Sequence, residues 1–249
     1  YTPHKPEPAT FKIQYGDLGI YACKMKSRDV KATYEFLKKQ NVNILGDISK
    51  NPNGDDHFYL RDLYGNVFEI VKAEDWFGKT NFTTGGSYGA VIGVTDMEKS
   101  IAFYSDILGF DKIIYDKEEI FSDTAVLTGG NNKSRRVLLA QSESRRGPFS
   151  KLLGNGEIEL VKVYDRTPNE IFANRYWGDL GFIHLCFDIQ SMDKMKTLCE
   201  SKGYPFTVDS GNHFDMGEAA GHFSYIEDPD GALIEFVETH KVPILKKFG

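Results

Sequence analysis

The chain has 249 residues, 41% hydrophobic and 27% charged, with a formal net charge of −6. That acidic balance excludes a general nucleic-acid surface, and no run reaches the roughly 18 apolar residues of a membrane-crossing helix. Three cysteines, Cys23, Cys186 and Cys199, are odd in number and lack metal-type spacing, so a disulfide framework is not expected and a cytoplasmic, reducing setting is.

The first periodic stretch, GIYACKMKSRDVKATYEFLKKQN (19–41), reads as a strand and then a helix that turns Val30, Tyr34 and Leu37 inward. RDLYGNVFEIV (61–71) follows as a turn and a strand carrying Glu69. GAVIGVTDMEKSIAFYSDILGF (89–110) repeats strand and helix. Asp96 is the predicted cap, Phe103, Tyr104, Ile107 and Leu108 the apolar stripe, and Gly109 the end. Residues 131–156 gather Arg135, Arg136, Arg145, Arg146 and Lys151. They read as a solvated surface loop, with a basic rim for an anionic substrate tail as the alternative.

NGEIELVKV (155–163) is the next strand and carries Glu159. GFIHLCFDIQSMDKMKTLCESKG (181–203) gives strand and helix a third time, with Ser191 as cap, Met192, Met195, Leu198 and Cys199 as stripe, and Gly203 as stop. DPDGALIEFVE (228–238) is a tight turn and a strand in which Glu235 shares a face with Leu233 and Val237. An ionised carboxylate on an apolar face is costly unless it is compensated. A bound metal ion, a buried Lys or Arg, or access to water at a sheet edge can compensate it.

The order strand–helix–strand–strand–strand therefore occurs three times. A longer period lies over it. GDLG stands at 16–19 and again at 178–181, inside QYGDLGI and YWGDLGF, and YTP at the start resembles YDRTP at 164–168. The expected organisation has two parts. Residues 1–86 form one module, the second half of a domain whose first half, with any targeting signal, precedes residue 1. Residues 87–249 form a complete two-module domain that closes one cup. Exchange of modules between copies, in a homodimer, is the alternative.

A strand–helix–three-strand module used in pairs and ending in DPDG…IE resembles the vicinal oxygen chelate superfamily, which includes glyoxalase I, extradiol dioxygenases and bleomycin resistance proteins. The resemblance implies an α+β fold of tandem βαβββ modules paired into curved, cup-shaped mixed sheets. It also implies a divalent metal (Zn, Ni, Mn or Fe) held by the first and last strands of each module. Carried over position by position, the ligands are Glu159, His184 and Glu235. Gly89 stands where a second histidine is frequent. In the first module Glu69 faces Ile20 or at best Tyr21, a degenerate or architectural pair.

The activity so implied is that of a metal-dependent, glyoxalase-like lyase or isomerase. Its substrate is a small molecule that chelates the metal through vicinal oxygens, with Glu159 or Glu235 moving the proton. One alternative is an extradiol ring-cleaving dioxygenase. GNHFDMGEAAGHFSYIEDPDGALIE holds Gly211, His213, Tyr225, Asp228, Pro229, Gly231 and Glu235 in the order of that signature. The gap after His213 is too long, His222 stands too close to replace it, and Ser224 sits where an apolar residue belongs. The other alternative is a metal-free binding protein for small molecules or antibiotics.

Overall fold

Strand alternation sets the first element. In the computed structural model, which describes residues 4–78, 81–212, 214–215 and 220–241, β1 (Gly19–Ser27) turns Met25 to one face and Ala22 to the other. The helix α1 (Val30–Lys39) covers the Met25 face. Asp29 caps it by accepting the Ala32 N–H at 3.0 Å, and Val30, Thr33 and Tyr34 are its buried residues. Three strands follow: β2 (Asn43–Lys50), β3 (Asp56–Arg61) and β4 (Val67–Lys72). Asp62 makes the turn between β3 and β4. Its Oδ1 accepts from Tyr64 N at 2.9 Å and Asn66 N at 2.8 Å, while Gly65 takes φ +91°.

The second module repeats the plan with β5 (Thr84–Gly93), α2 (Met97–Asp106), β6 (Lys112–Glu119), β7 (Ser134–Ala140), the short α3 (Ser150–Leu153) and β8 (Glu157–Val163). Asp96 caps α2 through the Lys99 N–H at 3.1 Å, and Phe103, Tyr104, Ile107 and Leu108 are all buried. The strands run β2-β3-β4-β1-β5-β8-β7-β6 in one eight-stranded sheet. Within each module the first and last strands pair in parallel, β1 with β4 and β5 with β8.

β5 runs antiparallel to β1 from Gly19↔Gly93 to Ser27↔Thr84, so the first module pairs with the second. The chain divides into one unit ending at Ile183 and another starting at His184. All three modules show the same sequence pattern, and backbone pairing across the β1–β5 edge decides which two join.

The GDLG repeat has a structural meaning in the first unit. Asp17 Oδ2 accepts the Gln14 N–H at 2.8 Å, while its Oδ1 takes the Asn169 N–H at 2.9 Å and Arg166 Nη1 at 2.5 Å. Asp179 repeats this on the Tyr176 N–H at 2.8 Å, the Glu7 N–H at 3.0 Å and His4 Nε2 at 3.0 Å. Likewise Leu18 N donates to Asn169 O and Leu180 N to Glu7 O. Each GDLG thus grips the segment that leads into the other.

The second unit holds β9 (His184–Asp188), α4 (Met192–Ser201), two short strands β10 (Val208–Asp209) and β11 (Phe214–Asp215), then β12 (Ala220–Glu227) and β13 (Leu233–Lys241). Its sheet runs β10-β12-β13-β9, with β11 against β12 and β9 parallel to β13. Asp228 builds the same turn as Asp62, accepting from Asp230 N at 2.9 Å and Ala232 N at 2.8 Å. Ser191 precedes α4, but its side chain does not cap it. Glu238 Oε2 accepts the Met192 N–H instead, at 3.0 Å. No described helix is long and apolar enough to cross a membrane.

Candidate functional site

Register identifies the equivalent positions in the three modules. Glu69 pairs with Lys24, Glu159 with Val91 and Glu235 with Cys186. Two residues earlier stand Ala22↔Val67, Gly89↔Glu157 and His184↔Leu233. The three glutamates are therefore equivalent, and so are Ala22, Gly89 and His184. The first-strand position of the first module is Ala22, not Ile20 or Tyr21: Ala22 stands seven residues before the helix N-cap Asp29, as Gly89 stands before Asp96 and His184 before Ser191. At Gly89 a Cβ would lie 1.7 Å from the Glu157 carbonyl oxygen, so the backbone leaves no room for any side chain there.

Glu69 and Glu159 lie on the face of the eight-stranded sheet that carries Ala22, Tyr59, Val91 and Val161. Six side chains there form a closed ring of alternating charge. Lys24 Nζ is 2.7 Å from Glu69 Oε2 and 2.8 Å from Glu159 Oε2. Glu69 Oε1 is 2.7 Å from His57 Nδ1, and His57 Nε2 is 3.2 Å from Asp123 Oδ2. Arg136 Nη1 donates to both Asp123 oxygens, at 2.9 and 2.7 Å. Its Nε closes the ring on Glu159 Oε1 at 2.6 Å. All six residues are buried. Glu157 Oε1 approaches Lys24 from the rim at 3.2 Å.

Neutralisation overcomes desolvation around this ring. Burial pushes the Glu159 carboxyl up, but Arg136 and Lys24 outweigh it and hold it far below the usual carboxylate range. Burial likewise opposes ionised Glu69, and Lys24 and His57 reverse the effect. Burial disfavours the His57 imidazolium, yet its hydrogen bonds to Asp123 and Glu69 raise its pKa to about 9. Both ring nitrogens then carry protons, as two carboxylate partners require.

The second unit presents a smaller, more open constellation. The β9–β13–β12 register sets Cys186 and Tyr225 on either side of Glu235, with His184 next along β9. His184 Nε2 lies 3.0 Å from Glu235 Oε2, and Tyr225 Oη donates to Glu235 Oε1 at 2.5 Å. The His184 and Tyr225 rings meet edge to face at 5.7 Å between centroids. Burial and the carboxylate raise the Cys186 thiol to about 12, so it stays protonated and unreactive at neutral pH.

The predicted residues thus fall into different settings. His184 and Glu235 come together in the second unit. Glu159 belongs to the ring of the first, beside Glu69. Each Glu159 oxygen faces a cationic nitrogen within 2.8 Å, so it does not fit the part of a metal ligand. His184 and Glu235 supply two donors, and among the described residues neither unit assembles three His, Cys, Asp or Glu side chains into a metal-holding group. His222 is buried on β12, paired with Asp209 at 2.6 Å and Asn212 at 2.9 Å. His213 lies outside the described residues.

Sequence reasoning missed Lys24, His57 and Asp123, placed Arg136 only in a basic stretch, and named Tyr225 only within the dioxygenase signature. The stretch read as a basic surface loop contains β7, where Arg135 pairs with Asp116 and Glu98 at the surface and Arg136 is buried. The available signal was alternation: in SRRVLLA, Arg136 shares a face with Leu138.

A model of the family described as the Glyoxalase/Bleomycin resistance protein/Dioxygenase superfamily matches residues 89–236. No curated protein matches the chain. Among solved structures, glyoxalase I from Zea mays aligns over 94% of this chain and 72% of its own at 16% identity, with a TM-score of 0.57. A point mutant of glyoxalase I from Zea mays aligns over 96% and 74% at 16% identity and a TM-score of 0.58. A proposed dioxygenase from Bacillus subtilis aligns over 93% of this chain and 65% of its own at 16% identity, with a TM-score of 0.58. At this identity the likeness is one of fold.

Proposed function

Since the chain belongs to the Glyoxalase/Bleomycin resistance protein/Dioxygenase superfamily, we propose that it converts a small molecule, as a lyase or isomerase, at the His184–Glu235 pair. The observation that supports this reading is the geometry of Glu235. Tyr225 Oη anchors Oε1 at 2.5 Å, and Oε2 stands on the His184 side at 3.0 Å. A carboxylate anchored at one oxygen by Tyr225 and paired at the other with His184 is held in a fixed orientation, which suits it to general-base work. It takes a proton from a carbon beside a carbonyl and returns that proton to the neighbouring carbon. His184 orients the carboxylate and steadies charge that develops on the substrate oxygen. The divalent ion that the resemblance implies does not fit Glu159, so no step is assigned to it.

Metal-free binding is the second reading, and the neutralised state of Glu159 favours it. One experiment separates the readings. The purified chain is offered thiol–aldehyde adducts and catechols, with added divalent metal and with chelator, while product and oxygen are followed. Turnover of the adducts without oxygen uptake, lowered about 10²- to 10⁴-fold by Glu235→Gln, supports the first reading. Oxygen uptake with catechols, or adduct turnover indifferent to Glu235→Gln, refutes it. Saturable binding without turnover assigns the chain to the second.

A further inference from the structure

The six-residue ring does more than neutralise two glutamates, because it crosses the boundary between modules. Lys24, His57 and Glu69 come from β1, β3 and β4 of the first module. Asp123 precedes β7 on the loop from β6, and Arg136 and Glu159 lie on β7 and β8 of the second. Two links join the halves: Lys24 to Glu159 at 2.8 Å and His57 to Asp123 at 3.2 Å. The other four bonds lie within one module or the other.

We infer that Lys24 is a resident cation, fixed to the chain, which bridges the two modules in place of a metal ion and makes this cup independent of metal. Its ammonium faces three carboxylates, Glu69 at 2.7 Å, Glu159 at 2.8 Å and Glu157 at 3.2 Å. Those are oxygens from the last strands of both modules, converging on one point. A hard divalent ion asks for such an oxygen set. The chain supplies instead a monovalent charge that it cannot lose by dissociation. Arg136 and His57 then balance what one ammonium leaves over, with three cations to the three fully buried anions of the ring. Removing the ammonium without touching the carboxylates should therefore turn a self-neutralised core into a divalent-cation site.

The test uses the full chain carrying His184→Ala and Glu235→Gln, so that the second unit contributes no ligand and its fate does not enter the result. Mn²⁺ is the probe, followed by electron paramagnetic resonance and thermal unfolding. In this parent, Mn²⁺ stays free and EDTA leaves the unfolding midpoint unchanged. Adding Lys24→Ala creates one Mn²⁺ site that raises the midpoint by about 5–10 °C at saturating metal, and further addition of Glu159→Gln abolishes it. If Lys24→Ala folds only with Mn²⁺ present, the inference also holds. It is overturned if the parent binds Mn²⁺ in a way that Glu159→Gln removes. It is equally overturned if Lys24→Ala binds no Mn²⁺ while folded. Should Lys24→Ala fail to fold even with Mn²⁺, Lys24→Gln is held to the same two criteria, and its failure to bind overturns the inference.

Discussion

Arg136 Nε donates to Glu159 Oε1 at 2.6 Å with both side chains buried in the sheet face they share. Taking two charges out of water is costly, and each is tolerable only while the other remains. Glu159→Gln leaves Arg136 and Lys24 both short of an anion. It should cost about 3–5 kcal/mol of stability in urea unfolding. Glu159→Gln with Arg136→Met should cost less than the sum of the single changes by at least about 1 kcal/mol. Additive effects would show that the pair is not coupled.

His57 makes the ring sensitive to alkali. Its folded pKa of about 9 lies above its ordinary value of 6.5, so the stabilisation is complete below pH 6.5 and is lost as pH rises through 9. The difference corresponds to about 3 kcal/mol. Urea midpoints measured between about pH 6 and pH 10 should fall over that window, and His57→Gln should remove the His57 part of the slope. Identical slopes in the two proteins would show that His57 does not carry this charge.

Why part of this was legible and part was not is a matter of range. The glutamates at 69, 159 and 235 announce themselves locally, because each follows an aliphatic or aromatic residue in a closing strand. The turns at Asp62 and Asp228 are legible for the same reason, since one carboxylate organises its own next four residues. Lys24 finds its carboxylates on strands reached through two different sheet edges, and no local pattern fixes which module lies across the β1–β5 edge. Ala22 stayed hidden as the first-strand position because it is counted from the cap of α1, and only the structure identifies Asp29 as that cap. Ser191 looked like a cap because its type is right, but Glu238 on a distant strand takes the amide.

Gly89 tests whether a lost ligand can be restored. A Cβ there would meet the Glu157 carbonyl oxygen at 1.7 Å, which is backbone and cannot rotate away. Gly89→Ala should therefore destabilise by about 1–3 kcal/mol. Gly89→His should cost at least as much and give no gain in zinc affinity measured by titration calorimetry. A histidine variant that folds like the parent and binds zinc would show that the β5–β8 approach is softer than these distances indicate.

Tyr225→Phe isolates the anchoring of Glu235. The substitution keeps the ring that packs on His184 and removes the hydroxyl that donates to Oε1. A carboxylate free to rotate spends less time in the productive geometry, so kcat should fall by up to about 100-fold with KM little changed. Loss confined to KM would place Tyr225 in substrate binding and leave the orientation of Glu235 to His184 alone.

The GDLG repeat makes the last test internal to the chain. Asp17 is fully buried and accepts from the Gln14 and Asn169 amides and from Arg166, so Asp17→Ala strands two backbone donors and a guanidinium. At about 1–3 kcal/mol for each unsatisfied buried donor, the two backbone amides alone should cost about 2–6 kcal/mol. Hydrogen exchange should locate it. Asn169 and Leu18 should lose protection together, because Leu18 N donates to Asn169 O in the same clamp. Asp179→Ala should instead loosen Glu7, Tyr176 and Leu180, the partners of the second clamp, and leave Asn169 protected. If either variant exposed both sets of amides, the two clamps would be one cooperative element rather than two independent copies of the same device.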